Sequence, residues 1–341
     1  MNHARVRHPE PDTGEEMLFI LNPVAGHGRS RRALDRLRQA MEKAPAPGLS
    51  RPRMRPVVWE TGRPGHAREL AARAAQEGFA RIVAVGGDGT VHEVINGLMD
   101  AGTGLASRVL LGIVPAGSGN DFARNLGLPA DAGAMAPILM GSQWAEVDVG
   151  RVNGRHFANL AGVGFDAEVA EWANRVPKFV PGTFTYLAGV LVVLAGYRNA
   201  RVELELDGLR LARRAFLVAV GNGPAYAGGM RMCPGADMGD GRFRVVVCGD
   251  LRRTEILRLL PTIYHGGHVR HPKVEVFDVA RLTLEAERPL TVHADGESVG
   301  TTPASFQVVA GALRVLGARP SPRSHQQVLP EGSARPAGLP A

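Results

Sequence analysis

The 341-residue chain has a net charge of +7, an isoelectric point near 10.1, 45% hydrophobic residues and 21% charged ones. These fractions exclude a disordered or fibrous chain and leave room for about two globular domains at roughly 150 residues each. The basic excess does not read as a nucleic-acid footprint, because the arginines are spread along the chain and no basic run is interleaved with aromatics.

Residues 1–16 are polar, with charges and prolines, and lack the apolar centre of a signal peptide. They are expected to be disordered. Residues 17–21 (MLFIL) read as a buried strand ending at Asn22-Pro23. A Gly-containing turn follows, then a helix in which Leu34, Leu37 and Met41 share one face. Val57 and Val58 mark a second strand, 65–77 an Ala-rich helix, 81–85 (RIVAV) a third strand, Val91 to Leu98 an amphipathic helix and 109–115 a fourth strand. This βαβα alternation predicts a parallel sheet covered on both faces.

The pattern changes near residue 149. Short strands are expected at 201–206, 214–220, 243–248, 274–278, 281–286, 290–294 and 305–309, with Asp207-Gly208 as a hairpin turn. Helices are expected near 168–175, 184–196 and 253–264. The reading is a first domain over 17–148 and a β-rich, sandwich-like domain over 149–318, followed by a disordered Pro/Ser/Ala/Arg tail from 319 to 341. The longest apolar stretch, Phe184 to Gly196, is shorter than the ~20 residues a membrane span needs and reads as a buried helix. His265, His268 and His271 are interrupted by Gly266-Gly267 and followed by Pro272, so they read as a solvated loop rather than a zinc site. Cys233 and Cys248 are too few for a disulfide framework and suit a reducing compartment.

Three Gly-rich turns fall at the carboxyl ends of successive strands of the first domain, where open α/β sheets bind ligands. They are Asn22-Pro23-Val24-Ala25-Gly26-His27-Gly28-Arg29, Gly86-Gly87-Asp88-Gly89-Thr90, and Pro115-Ala116-Gly117-Ser118-Gly119-Asn120-Asp121. In the second, the glycines let backbone amides approach an anion, Thr90 is expected to cap the following helix, and the helix N-terminus adds partial positive charge. Asp88 would repel phosphates unless Mg²⁺ bridges it to them. There is no G-x-x-x-x-G-K-[ST] loop and no G-x-G-x-x-G after the first strand, which excludes a Walker-type NTPase and argues against a dinucleotide Rossmann site.

The run from Gly86 to Gly97 (GGDGTVHEVING) resembles the signature of the diacylglycerol kinase catalytic domain family, which includes bacterial lipid kinases and sphingosine and ceramide kinases. Asn22-Pro23 with its turn fits as well, and Pro115 to Asn125 (PAGSGNDFARN) is similar to the bacterial form. The resemblance spans residues 17 to 317. GGDGT alone is shared with NAD kinases and phosphofructokinases; the longer run together with GSGNDFAR is specific.

The resemblance implies an α/β domain of the NAD kinase/diacylglycerol kinase type with a parallel sheet, joined to a β-rich domain, using ATP and Mg²⁺. The ATP site would take in Asn22, Pro23, Val24, Ala25, Gly26, Thr61, Gly86, Gly87, Asp88, Gly89, Thr90, Val91, His92, Glu93, Gly117, Ser118, Asn120 and Asp121. Family acidic residues around the nucleotide and its Mg²⁺ match Asp88, Asp121 and Asp148. Asp237-Met238-Gly239-Asp240-Gly241-Arg242 resembles the family's Mg²⁺ loop, with Asp240 supplying a carboxylate and Asp237 and Arg242 backbone oxygens. His293-Ala294-Asp295-Gly296-Glu297 resembles the segment carrying the general base, and either Asp295 or Glu297 could accept the proton. Asn159 to Asp166 matches a segment near the cleft, where Asp166 would order the site or meet the acceptor.

The implied activity is phosphorylation of a lipid hydroxyl, diacylglycerol-like or sphingoid/ceramide-like, by a cytoplasmic chain touching the inner membrane face peripherally. An NAD kinase-like enzyme is the first alternative and is opposed by GSGNDFARN. A non-catalytic lipid-binding regulator with the same fold is the second and is opposed by the intact acidic and Gly-rich motifs.

Overall fold

The computed structural model describes residues 16–43, 55–175 and 182–319. Apart from Glu16 and Arg319, the ends expected to be disordered lie outside them. The first half runs β1 (Glu16–Leu21), α1 (Arg29–Lys43), β2 (Arg55–Glu60), α2 (His66–Gln76), β3 (Arg81–Gly86), α3 (Asp88–Asp100), α4 (Thr103–Ala106), β4 (Leu110–Pro115), α5 (Asp121–Asn125) and α6 (Met135–Met140). Every residue of β3 and β4 is buried, as is all of β1 but Glu16. Such unbroken apolar runs belong to strands covered on both faces. They pair in parallel in the order β2-β1-β3-β4, so the three Gly-rich turns leave one edge of the sheet together.

The second half runs β5 (Trp144–Val152), β6 (Arg155–Phe157), β7 (Leu160–Gly164), α7 (Phe165–Arg175), α8 (Gly182–Gly196), β8 (Ala200–Leu206), β9 (Leu209–Ala215), β10 (Leu217–Gly221), β11 (Phe243–Cys248), α9 (Arg253–Leu259), β12 (Val274–Val279), β13 (Arg281–Ala286), β14 (Thr291–Ala294), β15 (Glu297–Thr301) and β16 (Ala304–Leu316). β12-β11-β10-β7-β14-β15 form one antiparallel sheet. Its inner face packs on β8, β13 and β16 around Phe157, Phe243, Val292 and Phe306, which makes the sandwich. β16 serves both halves. Its start pairs with β13, while Arg314 and Val315 pair in parallel with Leu110 and Leu111 of β4. Leu313, Val315 and Leu316 accordingly bury in the core of the first sheet.

Five local readings change. The helix expected to be buried over 184–196 exposes Leu191 and Val192, because only the Val190 and Leu194 side of it faces the core. The single strand expected at 214–220 is two, because the chain crosses between sheets at Phe216; β9 alternates in burial and β10 is buried throughout. The helix expected over 253–264 is α-helical only to Leu259, since Pro261 cannot continue it and the chain tightens into a 3₁₀ turn over Leu260–His265. His268 is not solvated: it is buried, with Nε2 3.0 Å from the Met232 carbonyl. The strands β5, β6, β7 and β15 add to those expected, their sequence signals being short or masked by glycines.

Candidate active site

The three Gly-rich turns touch one another, and missing side chains make this possible. Gly26 has φ of +57°, and a Cβ on it would lie 2.0 Å from the Ala116 carbonyl oxygen. A Cβ on Gly117 would lie 2.6 Å from the Gly87 Cα. Asn22 links the first two turns, donating from Nδ2 to Thr90 Oγ1 at 3.1 Å while its Oδ1 accepts the Val24 N–H. Thr90 is therefore no helix cap. It sits inside α3, whose N-cap is Gly87 in extended conformation. Ser118 and Val24 are at the rim, and nothing lies within 4 Å of a Cβ built on Gly89.

Asp88 ties the second turn to the third. Its Oδ1 accepts the amides of Asp121 at 2.6 Å and Phe122 at 3.3 Å, and its Oδ2 accepts that of Asn120 at 2.6 Å. Burial and the neighbouring Asp121 carboxylate push its pKa up, against those amides. Asp121 in turn accepts from Arg124 Nη1 at 2.6 Å and from the Gly228 amide at 2.8 Å. Glu93 reaches back to α2, where its two oxygens take the amides of Gly65 and Ala67. The Thr61 amide continues the β-ladder to the Leu21 carbonyl. Pro23 and Ala25 lie in the first turn, Gly86 ends β3 and Val91 is buried in α3.

His92, on α3, joins the two halves of the chain. Its Nδ1 lies 3.1 Å from Asp295 Oδ2, and its Nε2 lies 3.6 Å from Glu297 Oε2. Asn96 Nδ2 donates to the carbonyls of His92 and His156 and also lies 3.2 Å from His92 Nε2, so that nitrogen stands between the Asn96 amide and Glu297. Burial pulls the His92 pKa down, but the Asp295 hydrogen bond and charge outweigh it and the net shift is upward.

Asp295 and Glu297 differ sharply in environment. The Asp295 side chain is 5% exposed. Its oxygens accept the amides of Ala158 at 2.6 Å, Asn159 at 2.9 Å and Leu160 at 3.0 Å. Burial pushes its pKa up, yet His92 and these amides carry it below the usual value. The Glu297 side chain is 49% exposed, with Arg155 Nη2 3.7 Å away. Asp295 and Gly296 both have positive φ, 48° and 87°, forming the tight turn between β14 and β15.

Beneath that turn lies a buried network that sequence reading missed. The Gly296 amide donates to His293 Nδ1 at 3.3 Å, which places the ring proton on Nε2, 2.7 Å from Asp166 Oδ2. The Tyr226 hydroxyl donates to the other Asp166 oxygen. Asp166 thus joins His293 and Tyr226 beneath the turn. His293 is visible in sequence as the start of the segment that ends at Glu297; Tyr226 carries no local signal. Tyr226→Phe removes a bond to a buried carboxylate and is expected to lower the unfolding free energy by about 1.5–3 kcal/mol in urea titration.

The remaining acidic residues form a separate group. Asp148 is buried, and its two oxygens take the amides of Gly241 and Gly311, each at 2.7 Å. Burial, with Asp240 and Asp237 nearby, pushes its pKa up to about 6. Asp240 Oδ1 accepts the Arg242 amide at 3.0 Å, and Asp237 Oδ1 accepts the Gly239 amide at 3.2 Å. Among the described residues no three His, Cys, Asp or Glu side chains form a ready metal cage. The donors are nonetheless all oxygen and the local field is negative, which suits a hard cation that keeps most of its waters.

Because the folded pKa of Asp148 is raised, its contribution to stability is full below the unfolded value near 3.8 and is lost as pH rises through about 6. The unfolding free energy of the parent relative to Asp148→Asn is therefore expected to fall by up to about 3 kcal/mol between pH 3.5 and 7, at roughly 1.4 kcal/mol per pKa unit. Denaturant titrations at each pH check this.

Fold and site together define a two-domain protein in which glycine-rich turns on a parallel sheet face a carboxylate turn on a β-sandwich. The model of the Diacylglycerol kinase catalytic domain matches residues 16–152, and that of the YegS C-terminal NAD kinase beta sandwich-like domain matches 159–317. A Mycobacterium tuberculosis diacylglycerol kinase is 35% identical over 311 residues, covering 88% of this chain and 94% of the relative. A Staphylococcus carnosus diacylglycerol kinase is 30% identical over 289 residues, covering 84% and 90%. A solved Bacillus anthracis structure proposed to be a diacylglycerol kinase superposes with a TM-score of 0.73 at 26% identity, covering 91% of this chain and 98% of that one. The chain belongs to the diacylglycerol kinase family, and it is a kinase.

Proposed function

We propose that this protein transfers the γ-phosphoryl group of ATP to the hydroxyl of a diacylglycerol-like lipid in the cleft between its halves. The assignment of nucleotide binding to 17–148 and lipid binding to 149–318 is part of the same reading, as is a cytoplasmic chain touching the inner membrane face. Diacylglycerol is the first acceptor to test because the relatives from M. tuberculosis and S. carnosus carry that name. One observation carries the reading: His92, four residues beyond Asp88 in the second glycine turn, contacts the Asp295–Glu297 turn of the other half.

The amides of the three turns bind the triphosphate, with Ser118 and Asn22 at hand. Asp88 acts by holding the second and third turns together through three amides. Asp237, Asp240 and Asp148, with the Arg242 backbone, would hold Mg²⁺, which supplies charge neutralisation for the phosphates when bound. Glu297 is the better base. It is accessible, whereas Asp295 is walled in by three amides and His92. The acceptor hydroxyl gives its proton to Glu297 as the new O–P bond forms and the bond to the leaving diphosphate oxygen breaks. His92, fixed by Asp295, sets the direction of the Glu297 carboxylate.

The test is incubation of the purified chain with γ-labelled ATP, Mg²⁺ and mixed micelles of diacylglycerol, with sphingosine, ceramide and NAD in parallel. Labelled phosphatidic acid is expected. Label in NAD alone, or in no acceptor despite ATP binding, would remove the reading in favour of an NAD kinase-like enzyme or a lipid-binding regulator.

A further inference from the structure

A face of the second half, away from the turns, combines exposed apolar residues with concentrated positive charge. α8 has no charged residue along its 15 positions. At 1.5 Å per residue it is about 22 Å long, short of the ~30 Å hydrocarbon core of a bilayer. Among the described residues no helix is long and apolar enough to cross a membrane. Val190 and Leu194 of α8 bury into the core beneath, yet Leu191 and Val192 between them are 53% and 54% exposed.

Just past α8 opens a cavity of about 500 Å³ lined by Arg198, Arg214, Arg252 and Arg253, with Leu194 and Ile256 at its apolar side. Arg253 Nη2 donates to the Ala195 carbonyl at 2.7 Å, tying the charged cluster to the apolar helix. Arg214 lies 3.4 Å from Asp250, a carboxylate shared with Asn199. Glu255, the acidic residue of α9, is held by Lys273 at 2.9 Å. The cavity therefore keeps a net positive charge, and guanidinium groups pair with phosphate oxygens in two-point contacts. An exposed apolar strip beside clustered arginines is the composition of a surface that lies in the headgroup layer of an anionic membrane.

Its place in the fold supports this use. α8 packs on α7, and α7 packs on β14 and β15, the strands joined by the turn that carries Asp295 and leads into Glu297. The face is thus joined to that turn through two packed helices.

We propose that the C-terminal end of α8 and the four-arginine cavity form a docking face for an anionic bilayer. The guanidinium groups take lipid phosphates, while Leu191 and Val192 enter the boundary between headgroups and acyl chains. The proposal rests on the lipid-kinase reading for its purpose, but its test needs neither nucleotide nor turnover.

The experiment is flotation of the full chain with phosphatidylcholine vesicles, with and without about one-third phosphatidylglycerol. The parent should bind the anionic vesicles and be released as salt rises. Arg198→Gln with Arg252→Gln should weaken that binding about 30-fold, from roughly 1 kcal/mol per charge near the surface. Leu191→Ser with Val192→Ser should weaken it at any salt. Thermal unfolding of both variants should match the parent, and their turnover of a monomeric short-chain diacylglycerol should be unchanged. Binding of either variant equal to the parent, or parent binding indifferent to salt, overturns the proposal. Release by inorganic phosphate but not by chloride at matched ionic strength marks a soluble-phosphate site and also overturns it. A protein that docks as expected but turns over no lipid keeps this face and refutes the lipid-acceptor reading instead.

Discussion

Glu297→Gln should lower kcat by roughly 10²–10⁴-fold, the range for loss of a general base, and leave thermal unfolding unchanged. The side chain is half exposed, and its nearest charged partners, His92 and Arg155, are 3.6 and 3.7 Å away, so little packing depends on it. Asp295→Asn should instead destabilise the fold. An amide nitrogen in that position would confront a main-chain N–H where a carboxylate oxygen now accepts one, and His92 would lose its counter-charge. Breaking such a buried ionic network costs roughly 3–5 kcal/mol. The pH dependence separates the two further. Asp295 has a depressed folded pKa, so its contribution to stability is present above the unfolded value near 3.8 and lost as pH falls through the folded one. The stability gap between the parent and Asp295→Asn should therefore be widest near neutrality and narrow as pH drops below 3.8, which denaturant titrations across that range would record. If Glu297→Gln retained full turnover while Asp295→Asn folded normally without activity, the base would be Asp295, and Glu297 would be left as a bystander at the rim.

The second large effect is expected at Gly26, with Gly28 as its internal control. Both glycines have positive φ, 57° and 80°, so alanine at either pays a backbone cost of about 1 kcal/mol. Only Gly26 is crowded. Its added Cβ would fall 2.0 Å from the Ala116 carbonyl oxygen, whereas a Cβ on Gly28 meets nothing within 4 Å. A clash against backbone cannot be relieved by turning a side chain. Gly26→Ala must push the first turn away from the third, at a further cost of about 1–3 kcal/mol. It should also widen the space between the amides that, in the proposed function, take one polyphosphate. Denaturant unfolding and the nucleotide KM report the two consequences separately. Gly26→Ala should lose about 2–4 kcal/mol and raise that KM, while Gly28→Ala loses about 1 kcal/mol. Equal behaviour of the two variants would show that contact between the turns does not shape the site.

Much of the first domain was legible because its signals are local. MLFIL and the IVAV of residues 82–85 are unbroken apolar runs closed by glycine turns, and such runs are buried on both faces wherever they lie in a parallel sheet. The sandwich was legible as a class but less so strand by strand. The chain's crossing from one sheet to the other at Phe216 leaves no mark within the run from Arg213 to Val220, because both sheets bury the same kinds of side chain.

Site chemistry divides along the same line. Asp88, Asp121, Asp295 and Glu297 stand out as acidic residues in glycine-rich segments, and that is as far as spacing carries. Spacing cannot say that Asp88 spends its carboxylate on the amides of Asn120, Asp121 and Phe122, or that Glu93 spends its own on the start of α2. Nor can it separate Asp295 from Glu297, two residues apart in one turn. One faces into a nest of main-chain donors and the other into solvent.

The amino-acid order alone determined that glycine turns end successive parallel strands, since a missing Cβ and a strand-to-helix handover are properties of a few consecutive residues. Tertiary structure decided which carboxylates remain free to act. A buried oxygen takes whatever donors the fold brings to it, and those donors come from segments such as Ala158 to Leu160, more than a hundred residues from the acid they satisfy.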